Sequence, residues 1–369
     1  MSNGNSRASW KYAFAYTGIV VGAGFATGQE VLQFFASYGL ISFLGVVLTG
    51  LIVMFIGRQA AKLGYSTHAE SHVLPLNTLF GKKFGLVIDI ILAFFLYGLA
   101  IVMIAGSGAT FNEGFGIHPQ IGAIILIVLA LITLLMDFEK IISVIGVITP
   151  VLVVAMFFIA GYNVLNPMVP LSEVNQYNDV SRTPTGSWWF DAITYAGFTL
   201  ATAFSFLSIM GSESARQSIV RRGAIYGGLI IMIIMLLINF GVLSIIPNAY
   251  DVSLPTMEMA NNVAPWFGTA YSIIIILLIY NSIVGFLYPF LARFSTPGTK
   301  KYKILLVGSL VVGYFGTYVG FVELVNIIYP LFGYVGMVIG IMLTVRWVYL
   351  KFKARQLAEK ISDNDEEEQ

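Results

Sequence analysis

Ten stretches of this sequence are long and apolar enough to cross a lipid bilayer as helices, and no other feature of the chain constrains its fold as strongly. A spanning helix needs about 20 predominantly apolar residues. Only 11% of the chain is charged, against about 25% in a soluble domain. The sequence therefore predicts an all-α membrane protein with about ten transmembrane helices. The predicted spans are 11–37, 40–62, 84–111, 119–136, 140–162, 188–210, 223–246, 266–291, 303–319 and 322–349.

The positions of lysine and arginine predict the orientation of these spans. Cytoplasmic loops of membrane proteins carry an excess of both residues. If the chain begins in the cytoplasm, every Lys and Arg except Arg182 falls at a cytoplasmic end of a span. We therefore expect a multi-pass protein of the cell inner membrane with both termini cytoplasmic and the 163–187 segment external. The predicted parts are a cytoplasmic N-terminus (1–10), one transmembrane domain (11–350) and an acidic cytoplasmic tail (351–369).

The composition argues against several classes of function. The net charge is only +1, so bulk charge gives no reason to expect a nucleic-acid partner. Cysteine is absent, which excludes disulfides, thiolate metal sites and a cysteine nucleophile. The sequence contains no H-E-x-x-H, G-x-S-x-G or Walker motif. We therefore predict that the protein is not an enzyme and that its partners are the lipid bilayer and a small solute, and the oligomeric state stays open.

The first predicted span contains glycines and polar residues where a membrane helix would be continuous. Residues 18–30 read GIVVGAGFATGQE, with Gly22, Gly24 and Gly28 inside an apolar run. Glycine destabilises a helix by about 1 kcal/mol relative to alanine, and a carboxylate in hydrocarbon costs about 2.5–3.5 kcal/mol on insertion scales. Both are tolerated where an unwound helix lines a cavity or binds a ligand. We therefore expect an unwound binding site at 22–24; the alternative is that these glycines only allow close helix packing.

The sixth predicted span repeats this pattern. Residues 194–208 read TYAGFTLATAFSFLS, with Gly197 and several hydroxyl residues at mid-membrane depth. Because the sixth span follows five others, the second set of five spans starts from the opposite face of the membrane. Broken helices at corresponding positions of two such halves are typical of transporters built from inverted repeats. We therefore expect two inverted five-helix repeats, about 11–162 and 188–349, with spans one and six broken.

These features resemble a known group of transporters. The motif GAGFATGQE, with QFF following it, resembles the YkvI-type group of bacterial membrane proteins, and this likeness covers essentially the whole chain. The layout and the glycine break resemble the amino acid–polyamine–cation superfamily, which has the LeuT fold. The resemblance implies a secondary active transporter that moves a small zwitterionic solute, an amino acid or a related amine, together with sodium by alternating access.

The resemblance also implies which residues contact the solute. VGAGF at 21–25 is similar to the unwound first helix of the LeuT fold, where backbone amides, here those of Ala23 and Gly24, hold a substrate carboxylate. FTLATAF at 198–204 is similar to the sixth helix of sodium-coupled leucine transporters, which forms pocket walls. Tyr97 lies near the middle of span three, where the fold has a tyrosine that touches the carboxylate; its alternative role is packing. The candidate solute-binding residues are Gly22, Ala23, Gly24, Thr27, Gln29, Glu30, Tyr97, Phe198, Thr199, Ala201 and Phe204.

A sodium site is the second feature that the resemblance implies. The most widely shared sodium site of the fold joins two carbonyls of span one with a carbonyl and two oxygen side chains of span eight, and such an all-oxygen shell suits a hard cation. The chain departs from the family in having an asparagine where a hydroxyl residue is common. Span five has no lysine in its interior, which removes one proton-coupled arrangement. The candidate sodium ligands are the carbonyls of Gly18, Val21 and Leu278 and the side chains of Asn281 and Ser282.

The remaining intramembrane polar residues admit alternatives. Glu30 either faces an external vestibule or serves as a proton or cation ligand near the pocket, and we favour the second because intramembrane carboxylates are functional by default. Gln29 either binds the ligand or caps the outer half-helix. Asp89, about two turns after Lys82 and Lys83, is expected to form a structural ion pair. Two other functions stay open: a solute-binding sensor or receptor subunit, and a proton-coupled or uncoupled permease for a quaternary amine held by cation–π contacts.

Overall fold

The chain is almost entirely helical in the computed structural model, which describes residues 2–68, 73–136, 149–212 and 214–367. Short 3₁₀ helices cover Ala36–Ile41, Val174–Tyr177 and Val180–Arg182. The α-helices in the described ranges are α1 (Ser2–Val20), α2 (Ala23–Thr27), α3 (Gln29–Phe34), α4 (Ser42–Thr67), α5 (Val73–Phe115), α6 (Pro119–Leu134), α7 (Thr149–Leu165), α8 (Trp188–Ser212), α9 (Gln217–Ser244), α10 (Ile246–Ala249), α11 (Pro255–Val263), α12 (Pro265–Phe294), α13 (Lys300–Gly316) and α14 (Phe321–Glu367).

Six of these helical stretches are long and apolar enough to cross a membrane, and shorter apolar helices accompany them. The six are Ala36–Thr67, Val73–Phe115, Trp188–Ser212, Gln217–Ser244, Pro265–Phe294 and Phe321–Gln356. The prediction of an all-helical multi-pass membrane protein is therefore confirmed. Residues 137–148, which include the first part of the predicted fifth span (140–148), lie outside the described residues. The last helix continues to Glu367, well past the predicted end of the tenth span at residue 349.

The first span is broken at the predicted place and again at Gly28. Helix α1 ends at Val20 and α2 begins at Ala23, with Gly22 in an extended conformation (φ −104°, ψ −153°). The Gly22 amide donates to the Val20 carbonyl (2.9 Å), so it does not bond to the carbonyl four residues earlier, as it would in a continuous helix. Gly28 adopts a left-handed conformation (φ 74°) that glycine tolerates best. The first span is thus two helical pieces and a five-residue helix between them.

The predicted break in the sixth span is wrong, because α8 is one continuous helix. The Thr199 hydroxyl donates to the Tyr195 carbonyl (3.0 Å) and the Thr202 hydroxyl to the Thr199 carbonyl (2.9 Å). These side chains are therefore satisfied by their own helix and need no cavity. A Cβ on Gly197 would lie 2.2 Å from the Gly333 carbonyl oxygen, so this glycine allows α14 to pack closely on α8.

The short helix α11, which lies between the predicted seventh and eighth spans, covers the outer pieces of the first span. The hydroxyl of Thr256, in the first turn of α11, donates to the Ala26 carbonyl. The Tyr271 hydroxyl of α12 donates to the same carbonyl (3.0 Å). A Cβ on Gly28 would lie only 2.7 Å from the Thr256 methyl group. Helix α11 is therefore packed directly on α2 and on the turn that follows it.

The 3₁₀ helices of the segment before α8 close over the end of the first span. The Asp179 amide donates to the Ser37 carbonyl (3.1 Å), and the Leu40 amide donates to the Asn175 side chain (2.9 Å). Hydrogen bonds from Ser181 and from the Arg182 guanidinium hold the pKa of Asp179 below its usual range. This end of the molecule, opposite to the beginning of α1, is thus sealed by polar contacts.

Candidate solute site at the break in the first span

A cavity of about 550 Å³ lies beside the break and is enclosed mainly by α1, α5, α8 and α12. Gly18 and Gly22 line it at the break, and the ion pair between Asp89 and Arg293 lies at its far end. The Arg293 guanidinium binds Asp89 through two hydrogen bonds (2.6 and 2.8 Å). Its side chain is 39% exposed, against 2% for Asp89. Solvent therefore reaches the cavity at the end where α1 begins.

Four of the five candidate sodium ligands line this cavity: Gly18, Leu278, Asn281 and Ser282. Val21 is fully buried next to the break. A Cβ on Gly22 would lie 3.9 Å from the Ser282 hydroxyl oxygen, which places span eight directly across from the unwound segment. The Gly22 amide bonds to Val20 and so leaves the Gly18 carbonyl without the partner that a regular helix would supply. The structure thus brings oxygen-bearing groups of both spans to one place.

Glu30 lies at a second, much smaller cavity of about 30 Å³, which adjoins the break. Its side chain turns back over α2, so that a Cβ on Gly24 would lie 1.3 Å from one carboxylate oxygen. The Tyr195 hydroxyl donates to the other oxygen, and the Tyr329 hydroxyl interacts with the same carboxylate. Glu30 is only 3% exposed, so in this conformation it does not face an open, wet vestibule.

Aromatic rings enclose this carboxylate. Tyr195 packs against Phe34 and Phe198 with ring centroids 5.1 and 5.6 Å apart. Phe198 stacks on Tyr329 at 4.4 Å, and both line the small cavity. The two cavities have Ile19, Gly22, Thr202, Ser282 and Phe286 in common. The two cavities are therefore adjacent, and a ligand in the large cavity would lie next to the cavity that contains the carboxylate.

The other candidate solute residues have different positions. Gly22 and Ala201 line the large cavity, and Gly24 and Phe198 line the small one, whereas Phe204 is fully buried in the core. The Thr27 hydroxyl donates to the Gly24 carbonyl (2.8 Å), and Thr199 bonds within α8. Gln29 is buried beside Glu30 in the sequence, and the Ala23 backbone begins α2.

Tyr97 lies away from both cavities. Its hydroxyl donates to the Ser309 carbonyl of α13 (2.9 Å), and its ring stacks on Phe290 with centroids 4.7 Å apart. The packing role is therefore the one that the structure supports, since this face of α5 meets other helices. Helix α5 instead contributes Asp89, Leu92, Ala93 and Leu96 to the large cavity.

Several residues of the site do not stand out in the sequence. Tyr195 and Tyr329 hold the Glu30 carboxylate, and neither stands out in a chain with 19 tyrosines. Thr202 and Ser205 line the large cavity from α8. Thr202 is four residues from Phe198 and Ser205 is four residues from Ala201, so the sequence alone could have placed them on the same helix face as these candidates. The ion-pair partner of Asp89 is Arg293, not the neighbouring lysines.

Comparisons with known proteins agree with this architecture. No protein-family model matches the chain. The membrane protein YkvI of Bacillus subtilis (strain 168), described as uncharacterized, is 29% identical over 325 residues, which cover 88% of this chain and 92% of YkvI. The chain is a homologue of YkvI. The uncharacterized protein YyaD of the same organism is 23% identical over 351 residues, which cover 94% of this chain and 99% of YyaD.

A solved structure identifies the fold of this YkvI homologue. The crystal structure of MhsT in complex with L-phenylalanine superposes with a TM-score of 0.55 at 16% identity and covers 88% of this chain and 87% of MhsT. MhsT is a transporter of the LeuT fold. The YkvI homologue is therefore a multi-pass membrane protein with a LeuT-like fold.

Proposed function

We propose that this YkvI homologue is a secondary active transporter that moves a small solute with an amino group, an amino acid or a related amine, by alternating access. The observation that carries the proposal is the cavity beside the broken first span, whose far end holds the partly exposed Arg293 side chain. At the other end, α11 bonds to the Ala26 carbonyl and covers the outer pieces of that span. A site at a discontinuous helix, open to one side at a time, is the general arrangement of such transporters.

Two inverted five-helix repeats, about 11–162 and 188–349, are part of this proposal. The LeuT-like fold supports it, and so does the placement of the break in the first span of the first repeat. With both termini cytoplasmic, as the Lys and Arg distribution predicts, the large cavity opens to the cytoplasm. The conformation described here is then the inward-facing one, and α11 with the 3₁₀ segment forms the external closure.

Sodium is the coupling ion that we propose. Its ligands are the carbonyls of Gly18, Val21 and Leu278 and the side chains of Asn281 and Ser282. The common cavity of Gly18, Leu278, Asn281 and Ser282 supports this set, and the carbonyl of Gly18 lacks its regular helical partner. An ion held between α1 and α12 would tie the moving first span to its neighbour. Solute binding titrated against sodium at constant ionic strength tests this, with Ser282→Ala as the variant that removes one ligand oxygen.

Transport itself is tested with purified protein in liposomes. Liposomes loaded with one unlabelled amino acid or amine should take up the labelled form by exchange, and uptake should depend on the same solute that stabilises the protein in detergent. MhsT is known in complex with L-phenylalanine, which makes phenylalanine and its decarboxylated amine suitable first probes. Binding of a solute without exchange of any labelled solute would refute transport and favour the sensor alternative.

A further inference from the structure

The position of the Glu30 carboxylate bears on the chemistry of the solute. One of its oxygens lies where a Cβ of Gly24 would be, so the carboxylate packs against the backbone of α2. The resemblance described above assigns this backbone to a substrate carboxylate. In this chain a carboxylate of the protein already lies there, and a second one would meet it at close range in a buried site. The site is therefore organised for the opposite charge.

No side chain of the described residues lining the two cavities supplies that charge to Glu30. The basic residue among them is Arg293, which binds Asp89 at the far end of the large cavity. Glu30 itself is held by the hydroxyls of Tyr195 and Tyr329, which donate hydrogen bonds but carry no charge. A buried carboxylate needs a cation or a proton to offset its desolvation.

We propose that Glu30 is the counter-charge for a primary ammonium group of the solute, and that a proton replaces the ammonium when the site is empty. This assignment rests on the proposed transport function and narrows it to amines without a neighbouring carboxylate. The ammonium would lie in the small cavity against Glu30, beside Phe198 and Tyr329, which also line it.

The sizes of the two cavities define the shape of the solute. A space of about 30 Å³ holds two or three water-sized groups at most, since a single water needs about 10–15 Å³. A primary ammonium fits there, whereas a trimethylammonium group does not. The body of the solute would extend past Gly22 and Thr202 into the large cavity, where Leu92, Leu96 and Phe286 are among the apolar lining residues. An arylalkyl or alkyl primary amine has this form.

Other titratable groups on the elements packed against Glu30 are bound elsewhere or exposed. Asp191 of α8 accepts hydrogen bonds from Tyr38 (2.6 Å) and Thr185 (2.7 Å). Glu258 of α11 accepts from Asn248 and Asn261 (both 3.4 Å), and Glu323 of α14 is exposed. The groups that face Glu30 itself are the hydroxyls of its two tyrosines. Proton binding that competes with the amine is therefore assigned to this carboxylate.

The test compares three ligands that differ only at one end: phenethylamine, L-phenylalanine and N,N,N-trimethylphenethylammonium. Binding to the purified full-length protein in detergent is measured by calorimetry from about pH 5.5 to about pH 8, where alkylammonium groups, which titrate near 10, stay charged. We expect phenethylamine to bind at least about tenfold more tightly than either of the others. Its Kd should rise as the pH falls, by up to about tenfold per unit for one competing proton.

Two variants locate the effect. Glu30→Gln keeps the shape and the hydrogen-bonding capacity of the side chain but removes its charge, and it should lose both the tight amine binding and its pH dependence. Glu323→Gln is the matched control, since it removes an exposed carboxylate from the end of α14 that lies near the closure. It should bind phenethylamine as the wild type does, with the same pH dependence.

The outcomes separate this inference from the transport function. Equal affinity for phenylalanine and phenethylamine in the wild type would overturn the inference whether or not Glu30→Gln folds. So would pH-independent amine binding, or amine binding by a folded Glu30→Gln that matches the wild type. Liposomes that exchange labelled phenylalanine with no preference for the amine would leave transport standing and refute the Glu30 assignment. Amine binding that depends on Glu30, with no exchange in liposomes, would refute transport and leave the assignment standing.

Discussion

Replacing either of two glycines near the break by alanine should have different effects on stability and on amine binding. In Gly24→Ala the new methyl group would lie 1.3 Å from a Glu30 oxygen and 2.4 Å from its carboxyl carbon. Since non-bonded heavy atoms rest about 3.5 Å apart, the carboxylate must move by roughly 2 Å. That displacement breaks its hydrogen bond with Tyr195. In Gly22→Ala the nearest atom is the Ser282 hydroxyl oxygen at 3.9 Å, an ordinary contact.

The magnitude for Gly24→Ala follows from two opposing effects. A lost hydrogen bond to a charged group costs about 1.5–3 kcal/mol, whereas alanine is a better helix former than glycine by about 1 kcal/mol. We therefore expect a net destabilisation of about 0.5–2 kcal/mol. If Glu30 binds the amine, its displacement should also weaken amine binding by about 10–100-fold, because each 1.4 kcal/mol is tenfold.

The assay is paired thermal unfolding and phenethylamine binding of the two variants in detergent. Gly22→Ala should stay within about 0.5 kcal/mol of the wild type in stability, because its φ of −104° suits any residue. Wild-type amine affinity in Gly24→Ala, or a larger loss in Gly22→Ala than in Gly24→Ala, would refute the argument that the Glu30 carboxylate is positioned by the glycine backbone.

Three further predictions concern packing, the ion pair and topology. Gly197→Ala should lower stability by about 1–3 kcal/mol, because its methyl group would lie 2.2 Å from the Gly333 carbonyl oxygen; unchanged unfolding would show that α8 and α14 are more loosely packed than described. Arg293→Gln should destabilise the protein by about 1–3 kcal/mol, less than the loss of a fully buried pair because the arginine is partly exposed, and Asp89→Asn in the same chain should restore part of the loss in chemical denaturation. A protease site inserted after Asn175 should be cut from outside intact cells; cleavage only after lysis would reverse the assigned orientation.

The first span shows what the sequence could predict. Its break was predictable because Gly22 and Gly24 weaken a helix locally and because no bilayer-facing role suits the polar residues beside them. The left-handed turn at Gly28 was not predicted, since a lone glycine does not reveal its φ. The helix α11 that packs there, with Thr256 bonded to the Ala26 carbonyl, comes from a part of the chain about 230 residues away.

The sixth span shows the limit of the same reasoning. Hydroxyl residues and Gly197 suggested a second break, but threonine can bond to the carbonyl of its own preceding turn, and glycine can serve close packing as well as unwinding. Sequence composition does not distinguish these uses. They are distinguished by the helix that packs on Gly197, and this helix, α14, follows α8 by more than 100 residues, so the local sequence does not reveal it.

The candidate site was predicted in outline and not in its polar contacts. The resemblance brought Gly18, Leu278, Asn281 and Ser282 together, and the structure gives them a common cavity. Glu30 was recognised as an unusual intramembrane carboxylate, but its side-chain partners Tyr195 and Tyr329 are set by tertiary packing over 165 residues and more. Tyr97 was assigned by depth alone, and depth does not determine which face of a helix a residue occupies.

The breaks at Gly22 and Gly28 make α2 a short helical segment that is separate from both its neighbours. It is five residues long, about 7 Å at 1.5 Å per residue, with a hinge at Gly22 on one side and at Gly28 on the other. Glu30 follows Gly28 in the chain, yet its carboxylate extends back over α2 to Gly24. Thr256 and Tyr271 bond to the same short segment at the Ala26 carbonyl. A ligand that moves the Glu30 carboxylate would therefore act on a short segment that is also bonded to the part of the protein that closes its far side.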